Sequence, residues 1–275
     1  NIAGDKNTAV GHNALYFSTN ADRNSAIGSN ALLSNTTGDS NTAIGAEALS
    51  SNTIGTVNTA TGVSALSFNS TGDANTATGH FALASNSIGN YNTAIGYRAL
   101  WSNLGGDNNT ACGTYAGGDY SYNYCSFLGY RADVSLGSTN LTNSTALGSE
   151  SLITASNQVR IGSSTVTSIG GYTGWSNVSD SRFKMDVQEN VPGLEFINQL
   201  RPVTYHLDVN GIRDFLGEDT RRDGSEEELH EKSQEQKSLT GNSVSEKERI
   251  TYTGFIAQEV EKVSVELDFE FSGVD

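Results

Sequence analysis

Aromatic side chains recur at a few fixed positions of a repeated segment in the first half of the chain. Their spacing favours a binding surface. They stand at the fifth, sixth or ninth position after an asparagine that recurs every 17 residues, at His80, Tyr97, Phe81, Tyr115, Tyr16 and Trp101. A row of exposed rings can stack on sugar rings or anchor a protein partner. We predict a ligand site at Tyr97, Trp101 and Tyr115. The alternative is that these rings cover the edges of the repeating structure. Further rings extend the cluster at Tyr91, Tyr120, Tyr122, Tyr124 and Tyr130.

Other site chemistry is sparse in this sequence. It holds no phosphate-binding loop, no zinc-ligand spacing and no acidic calcium-binding nonapeptide, so we expect neither a metal nor a cofactor. The aspartates of the repeats stand beside predicted turns, which aspartate favours because its side chain bonds to its own backbone. We interpret them as turn formers: Asp22, Asp39, Asp73 and Asp107.

The elements that must position the rings are seven copies of one 17-residue unit. An asparagine opens each copy, and a glycine follows four residues later without any change of spacing. Helix-pair repeats need about 30 residues or more, and glycine and asparagine at this density disfavour helices. The strict short period therefore predicts a mainly β fold, a parallel β-roll or β-solenoid of 17-residue rungs, rather than an enzyme core. The asparagines are Asn7, Asn24, Asn41, Asn58, Asn75, Asn92 and Asn109, and the glycines are Gly11, Gly28, Gly45, Gly62, Gly79, Gly96 and Gly113.

Each unit predicts one coil with two short strands and two turns. In the third copy the strands are Thr42–Ile44 and the Ala48–Leu49 pair, with one turn at Gly45 and another after Asn52. Coils so small and so rich in alanine bury little apolar surface by themselves. We therefore expect the Ala–Leu pair to face other chains, and the chain to associate with parallel copies of itself around a shared axis.

Charge and hydropathy exclude several classes of function. The net charge is −15, and residues 1–150 hold 4 basic and 9 acidic side chains, so the chain has no basic stripe that could bind nucleic acid. No apolar run approaches the roughly 20 residues of a membrane-spanning helix. Cys112 takes an apolar position of its repeat and is expected to be buried, with a disulfide to Cys125 as an alternative.

The motif N-[TS]-A-[IV]-G-x-x-A resembles the head repeats of trimeric autotransporter adhesins and of many phage tail fibres. The resemblance covers residues 1–165 and implies left-handed parallel β-rolls in which three chains lie side by side. Degenerate rungs are expected at Ser126–Gly129 and Ser144–Gly148. Strands with alternating polarity are expected to follow at Asn157–Gly162 and Ser163–Ile169.

A glycine-rich neck at residues 166–178 is predicted to separate the repeats from a small α+β domain at residues 179–275. In that domain, residues 202–207 predict a strand, and Thr251–Val263 predicts a strand that leads into a helix. Residues 213–249 hold 11 acidic and 7 basic side chains and almost no core formers. They are predicted to be a solvated, charged insertion.

A helix is also predicted near the start of this domain. Asn190 is a suitable N-cap, and Pro192 suits the first turn. Leu194, Ile197 and Leu200 recur at helical spacing and are predicted to form its apolar face.

Two patterns of the C-terminal domain occur together: S-D-x-R-x-K at Ser179–Lys184, and GFIAQEVE at Gly254–Glu261. Together they resemble the chaperone of endosialidase domain, also called the intramolecular chaperone auto-processing domain. The resemblance implies a domain, incomplete at its C-terminus, that drives the assembly of trimeric fibres. It also implies that the domain cuts its own chain between Ser179 and Asp180.

The same resemblance assigns the residues of that cleavage. Ser179 and Lys184 form the catalytic pair, and Asp180 and Arg182 position the bond. A serine hydroxyl needs a base to become a nucleophile, and a lysine can be that base when burial keeps it neutral. His206 is interpreted as structural.

The leading hypothesis is a structural fibre: a homotrimeric rod outside the cell, on a phage tail or a bacterial surface, that attaches to a host receptor for which a glycan is one candidate. A second hypothesis, of another class, is an autoprotease that acts only on its own chain. A third is a retained cap of a surface filament that does not cleave. Two T-x-T segments, Thr59–Thr61 and Thr76–Thr78, also suggest ice binding, but five other units interrupt the threonine ladder.

Overall fold

The computed structural model describes residues 4–135, 140–170, 185, 192–216 and 244–269. It contains two compact units: a repeat unit of the residues up to Ser164 together with residues 211–216, and a C-terminal unit of the other described residues from Thr165 onward.

A parallel sheet of ten short strands runs the length of the repeat unit. Each strand pairs with its neighbour so that equivalent residues of successive repeats lie side by side, as Ala43 lies beside Ala60. The predicted mainly β fold, a parallel β-solenoid of 17-residue turns, is confirmed. The strands are β1 (Thr8–Val10), β2 (Ser25–Ile27), β3 (Thr42–Ile44), β4 (Thr59–Thr61), β5 (Thr76–Thr78), β6 (Thr93–Ile95), β7 (Thr110–Cys112), β8 (Ser126–Leu128), β10 (Thr145–Leu147) and β12 (Val159–Ile161); β9 (Asp133–Val134) and β11 (Leu152–Ile153) pair separately.

The regular coils contain one strand each rather than the two that the sequence predicted. The Ala–Leu pair lies in a turn, where Leu49 adopts a left-handed backbone with φ of 51°. Consecutive residues of a strand point to opposite faces, so a strand could bury only one of the two side chains. The left-handed leucine lets both point inward, and Ala48 and Leu49 are completely buried. The expectation that this pair faces other chains is therefore wrong.

In the regular strands the middle residue is buried, and the first and third residues point outward. We call the third-position residues the outer column; Ile27, Ile44 and Ile95 in it are 43%, 41% and 44% exposed. The full outer column is Val10, Ile27, Ile44, Thr61, Thr78, Ile95, Cys112, Leu128, Leu147 and Ile161.

The two cysteines depart from the sequence-based expectation. Cys112 stands in the outer column and is partly exposed, so the prediction that it is buried is wrong. Cys125 is buried, because it takes the place of Asn109 in the next coil. Both thiols are free, and burial raises the pKa of the Cys125 thiol above its ordinary value.

Asparagines fill the rest of the interior, in two columns that are completely buried. Within one coil, the amides of Asn41 and Asn52 donate to the same acceptor, the carbonyl oxygen of Gly55, at 2.8 and 2.9 Å. We call this arrangement the asparagine clamp. The first column is Asn24, Asn41, Asn58, Asn75, Asn92 and Asn109, and the second is Asn35, Asn52, Asn69, Asn86 and Asn103.

The clamps also join successive coils. Oδ1 of Asn41 accepts the backbone N–H of Asn58 at 2.9 Å, and Oδ1 of Asn52 accepts the side-chain amide of Asn69 at 2.8 Å. Gly55 must be glycine because a Cβ there would lie 2.5 Å from the carbonyl oxygen of Gly72. The buried amides are thus satisfied by each other and by the backbone, which removes the cost of burying them.

The coil around residue 122 departs from the regular pattern, and its side chains compensate in size. Phe127 replaces the strand alanine, while Gly117, with φ of 58°, replaces the buried leucine. A Cβ on Gly117 would lie 2.6 Å from the Phe127 ring. Tyr122 replaces the clamp glycine and keeps its role through the backbone, since its carbonyl accepts the amide of Asn109 at 2.6 Å. Its hydroxyl donates to Asp133 at 2.6 Å.

The last strands of the repeat unit lie in the degenerate rungs and just after them. The degenerate rungs form β8 and β10, and β12 lies within Asn157–Gly162. Residues 163–169 form no strand, so that prediction is wrong, and the ten-stranded sheet ends at β12. Residues 171–178 of the predicted neck lie outside the described residues.

Short strands and helices follow the repeats. The sequence predicted the two strands β13 (Val203–Tyr205) and β14 (Tyr252–Gly254), and the structure pairs them antiparallel. The helices are α1 (Gly193–Ile197), α2 (Val209–Leu216) and α3 (Ala257–Glu266), and residues 244–248 are helical as well. Residues 217–243 of the predicted insertion lie outside the described residues.

Only one residue of the predicted apolar face contacts the core. Leu194 and Ile197 are exposed, whereas Leu200 packs against the cluster that Phe196 forms with two valines of α3, Val260 and Val263. The apolar spacing is that of a helix, but α1 is only five residues long, and its contact with α3 falls on Phe196. Asn190, the predicted cap, lies outside the described residues.

An ion pair links the start of β13 to α3. Nε and Nη2 of Arg201 donate to the two carboxylate oxygens of Glu259. The hydrogen bond from Arg201 lowers the pKa of the Glu259 carboxyl. The pair is exposed, so its contribution to stability is small.

Removal of one clamp asparagine tests the role of the buried amides. Asn58→Ala takes away the acceptor of the Asn75 backbone N–H and one donor to Gly72. Each buried group left without a partner costs about 1–3 kcal/mol. We expect denaturant unfolding to show this loss of stability, with a change of less than about 0.5 kcal/mol for the exposed-residue control Asn20→Ala. Equal stability of the two variants would contradict the clamp.

Because the Phe127 ring occupies the space beside Gly117, substitutions at these two positions should have non-additive effects on stability. Phe127→Ala should cost about 3–5 kcal/mol by leaving a cavity, and Gly117→Leu should cost about 1–3 kcal/mol or more by overpacking. The double variant recreates the Ala and Leu of a regular coil, so we expect it to be more stable than Phe127→Ala alone. Thermal or denaturant unfolding of the four proteins measures this coupling. Additive losses would contradict it.

Candidate functional site

The structure brings the predicted ring residues together on the surface of neighbouring coils. The rings of Tyr97 and Tyr115 meet edge to face with centroids 5.2 Å apart, and His80 lies 5.6 Å from Tyr97. His80 also stacks on Phe81 at 4.1 Å. The strict register of the coils explains this, since side chains at equivalent positions of successive repeats are placed one above another.

Arg98, which the sequence analysis did not single out, joins these rings. Its guanidinium carbon lies 5.0 Å from the ring of Trp101 and 5.2 Å from that of Tyr97. It lies 5.8 Å from the rings of both Phe81 and Tyr115. A cation over aromatic faces at such distances is attracted by the ring quadrupoles. Trp101 therefore enters the cluster through Arg98. We call Phe81, Tyr97, Arg98, Trp101 and Tyr115 the arginine–aromatic cluster.

The repeat dictates where Arg98 stands. It takes the sixth position after Asn92, as Phe81 does after Asn75 and Tyr115 after Asn109, so the two rings lie on the adjacent coils. Its backbone is left-handed, with φ of 53°, and its N–H donates to the carbonyl of His80 at 3.1 Å. The next two residues, Ala99 and Leu100, are fully buried and anchor this turn.

The Arg98 guanidinium has cation–π contacts, and its Nε is buried without a hydrogen-bond acceptor in the described part of the chain. A second guanidinium, that of Arg131, lies 5.5 Å from the ring of Tyr115 and 5.4 Å from that of Tyr130. The surface therefore combines positive charge with flat apolar rings.

The remaining tyrosines of the predicted cluster do not all belong to this surface. Tyr122 is completely buried and packs on Phe127, with ring centroids 4.8 Å apart. Tyr91 and Tyr124 are exposed, at the last position of their repeats rather than at the positions that form the cluster. Tyr16 meets Phe17 in the first coil. The extension proposed from sequence is wrong for Tyr122, because that coil uses its ring as core.

The sequence held one signal for Arg98. It is one of only 4 basic residues among the first 150, and it stands between aromatic residues at the same repeat position of adjacent units. That signal becomes visible only when the 17-residue units are aligned in register.

The predicted cleavage residues Ser179, Asp180, Arg182 and Lys184 lie outside the described residues. Their pairing therefore stays a prediction. His206 is exposed just after β13.

No group of three or more His, Cys, Asp or Glu side chains in the described residues could hold a metal ion. Among the same residues, no helix has both the length and the apolar character that crossing a membrane requires.

Comparison with known proteins identifies the C-terminal segment. Residues 179–269 match the family model of the chaperone of endosialidase. No curated protein and no solved structure matches the chain. The match agrees with the resemblance based on the Ser179–Lys184 and Gly254–Glu261 motifs. Together with the β-solenoid, it indicates a fibre-like protein that carries a chaperone domain.

Proposed function

We propose that this chain forms the shaft or head of a trimeric attachment fibre, and that its C-terminal domain assists folding of the trimer. The observation that carries the proposal is the outward face of the ten-stranded sheet. That face presents a mostly apolar column, interrupted by Thr61 and Thr78, which the chain does not use for its own core.

The outer column is a suitable surface for self-association. Val10, Ile44 and Leu128 are 57%, 41% and 49% exposed, although the interior of the coil is already filled by alanine, leucine and asparagine. Covering apolar surface releases about 25 cal/mol per Å². Exposed apolar patches mark interaction sites, and the column has one on each side of Thr61 and Thr78. Because every copy has the same repeat, parallel copies align column with column.

The charge distribution supports the same face. The chain has a net charge of −15, yet neither outward position of the ten strands carries a charged residue. The position beside the outer column is threonine or serine in every strand except β12, where it is Val159. Depletion of charge is typical of the core of a protein interface. The number of three chains rests on the resemblance of the repeats and of the C-terminal domain to parts of trimeric fibres.

The proposed role places the fibre outside the cell, on a phage tail or a bacterial surface, where it attaches to a host receptor. The support for this place is the C-terminal family match, since that family includes the C-terminal domains of phage tail fibres and spikes.

Charged substitutions in the outer column test the proposed interface. We expect native mass measurement of the full chain to give the mass of three chains, and Ile44→Asp with Ile95→Asp to give mainly monomer. Each buried, unpaired carboxylate costs several kcal/mol. The matched control is Ile54→Asp with Ile88→Asp, which changes isoleucines of similar exposure outside the sheet, at 53% and 59%. A monomeric wild type, or equal assembly of both double variants, would contradict the proposal.

Self-cleavage at Ser179–Asp180 is the second element of the proposal. Water splits this amide overall, leaving a carboxylate on Ser179 and an amine on Asp180. The hydroxyl oxygen of Ser179 from a neighbouring chain attacks the carbonyl carbon of this bond, because attack by the same residue would close a four-membered ring. Neutral Lys184 takes the hydroxyl proton and passes it to the Asp180 nitrogen as the amide breaks, and water then hydrolyses the resulting ester to restore the serine hydroxyl. The support is the match of residues 179–269 to a family in which many members cut themselves at this motif. If cleavage does not occur, the domain is a retained cap of the fibre.

Denaturing electrophoresis of freshly synthesised chain tests the cleavage. We expect fragments of residues 1–179 and 180–275 from the wild type and only intact chain from Ser179→Ala and Lys184→Met. Ser181→Ala is the control, because it removes a serine hydroxyl two residues away, and it should still cleave. Intact chain in every sample would exclude the protease and leave the cap.

A further inference from the structure

We propose that the arginine–aromatic cluster binds a saccharide that carries an isolated carboxylate among neutral sugar units. The inference rests on the attachment function proposed above and names the class of ligand that this surface takes.

Arg98 is the reason for a negatively charged ligand. A guanidinium has five N–H donors, and structures normally supply acceptors for those that are shielded from water. The Nε of Arg98 is buried, and no described residue accepts a hydrogen bond from it. Four rings surround the guanidinium at 5.0 to 5.8 Å and reduce its contact with solvent. A ligand oxygen bound here would meet a charge that water screens less than at an open surface.

The geometry of the donor favours a carboxylate. Phe81 and Tyr115 stand on the coils on either side of Arg98, so the rings occupy the space along the stacking direction. Acceptors must approach the planar fork of N–H groups, which matches the two oxygens of a carboxylate.

The rings favour a saccharide over a peptide strand. A peptide that extends a sheet needs unpaired backbone donors and acceptors. At this surface the backbone already pairs from coil to coil: Tyr115 N–H donates to Tyr97 at 2.9 Å, and Arg131 N–H donates to Thr114 at 3.0 Å. Recognition must therefore use side chains. Rings on successive coils, repeated at the roughly 4.8 Å spacing of strands, suit a linear polymer of ring-shaped units.

The overall charge limits how acidic the ligand can be. The chain carries a net charge of −15, which repels a dense polyanion such as nucleic acid. One carboxylate held at Arg98, with neutral sugars against Tyr97, Trp101 and Tyr115, avoids most of that repulsion.

Titration of the intact chain with a hyaluronan tetrasaccharide tests the proposal, since this probe alternates an acidic and a neutral sugar. Trp175→Phe leaves Trp101 as the single tryptophan, so its fluorescence reports binding at the cluster. We expect saturable binding that weakens at least tenfold with the methyl ester of the probe and at least tenfold in Arg98→Gln. Arg23→Gln is the matched control, because it removes the same charge from a different surface and should change the affinity less than twofold.

Several outcomes would overturn the assignment. These are no binding to the wild-type chain, equal binding of the ester, or binding that Arg98→Gln leaves unchanged. Equal affinity for a short poly-glutamate peptide would show that the surface takes any acidic chain, and competition by millimolar acetate would show a simple anion site. Should Arg98→Gln fail to fold by circular dichroism, Trp101→Ala replaces it, with titration calorimetry as the readout and the same tenfold loss expected.

The native mass of the same samples separates this inference from the fibre proposal. A trimer that does not bind the probe contradicts only the ligand assignment. A monomer that binds it through Arg98 contradicts only the trimeric fibre.

Discussion

The asparagine clamp is the constraint on which the rest of the repeat unit depends. In the five coils that begin at Asn24, Asn41, Asn58, Asn75 and Asn92, two buried amides share one glycine carbonyl, and asparagine side chains also bond to the adjacent coils. A buried amide without partners costs several kcal/mol, so the pattern tolerates little variation. An insertion or deletion of one residue between the two asparagines would break both the lateral and the vertical hydrogen bonds. This explains why the 17-residue period holds without a slip from Asn7 to Asn109.

The clamp also explains how a chain with so little apolar content holds a rod together. A regular coil buries two alanines and one leucine, as at Ala43, Ala48 and Leu49. The asparagine ladders fill the remaining interior with groups that satisfy each other, and each coil supports its neighbours. A single chain therefore has a complete interior, and the outer column is left for contacts with other copies. Where the period breaks, the backbone carbonyl of Tyr122 takes the place of the glycine acceptor. The large side chain of Phe127 fills the space that the missing side chain of Gly117 leaves.

Periodicity made the solenoid predictable from sequence, and local backbone geometry made its details unpredictable. The recurrence of asparagine and glycine requires stacked equivalent coils, and the strands at Thr42–Ile44 and its equivalents follow from it. Leu49 was misplaced because leucine rarely adopts a left-handed backbone, and an apolar pair in sequence does not reveal that both side chains point inward. Tyr97, Trp101 and Tyr115 could be selected by type and position. Arg98 was missed because its role depends on the rings of two adjacent coils, which only the alignment of the units in register brings beside it.

Side-chain amide exchange measures the central claim most directly. In protein labelled with ¹⁵N at asparagine, the side-chain amides of the two buried columns should exchange with solvent far more slowly than that of exposed Asn20. The account predicts that they exchange together, at rates set by unfolding of the solenoid. Exchange of the column amides at the rate of Asn20 would contradict it.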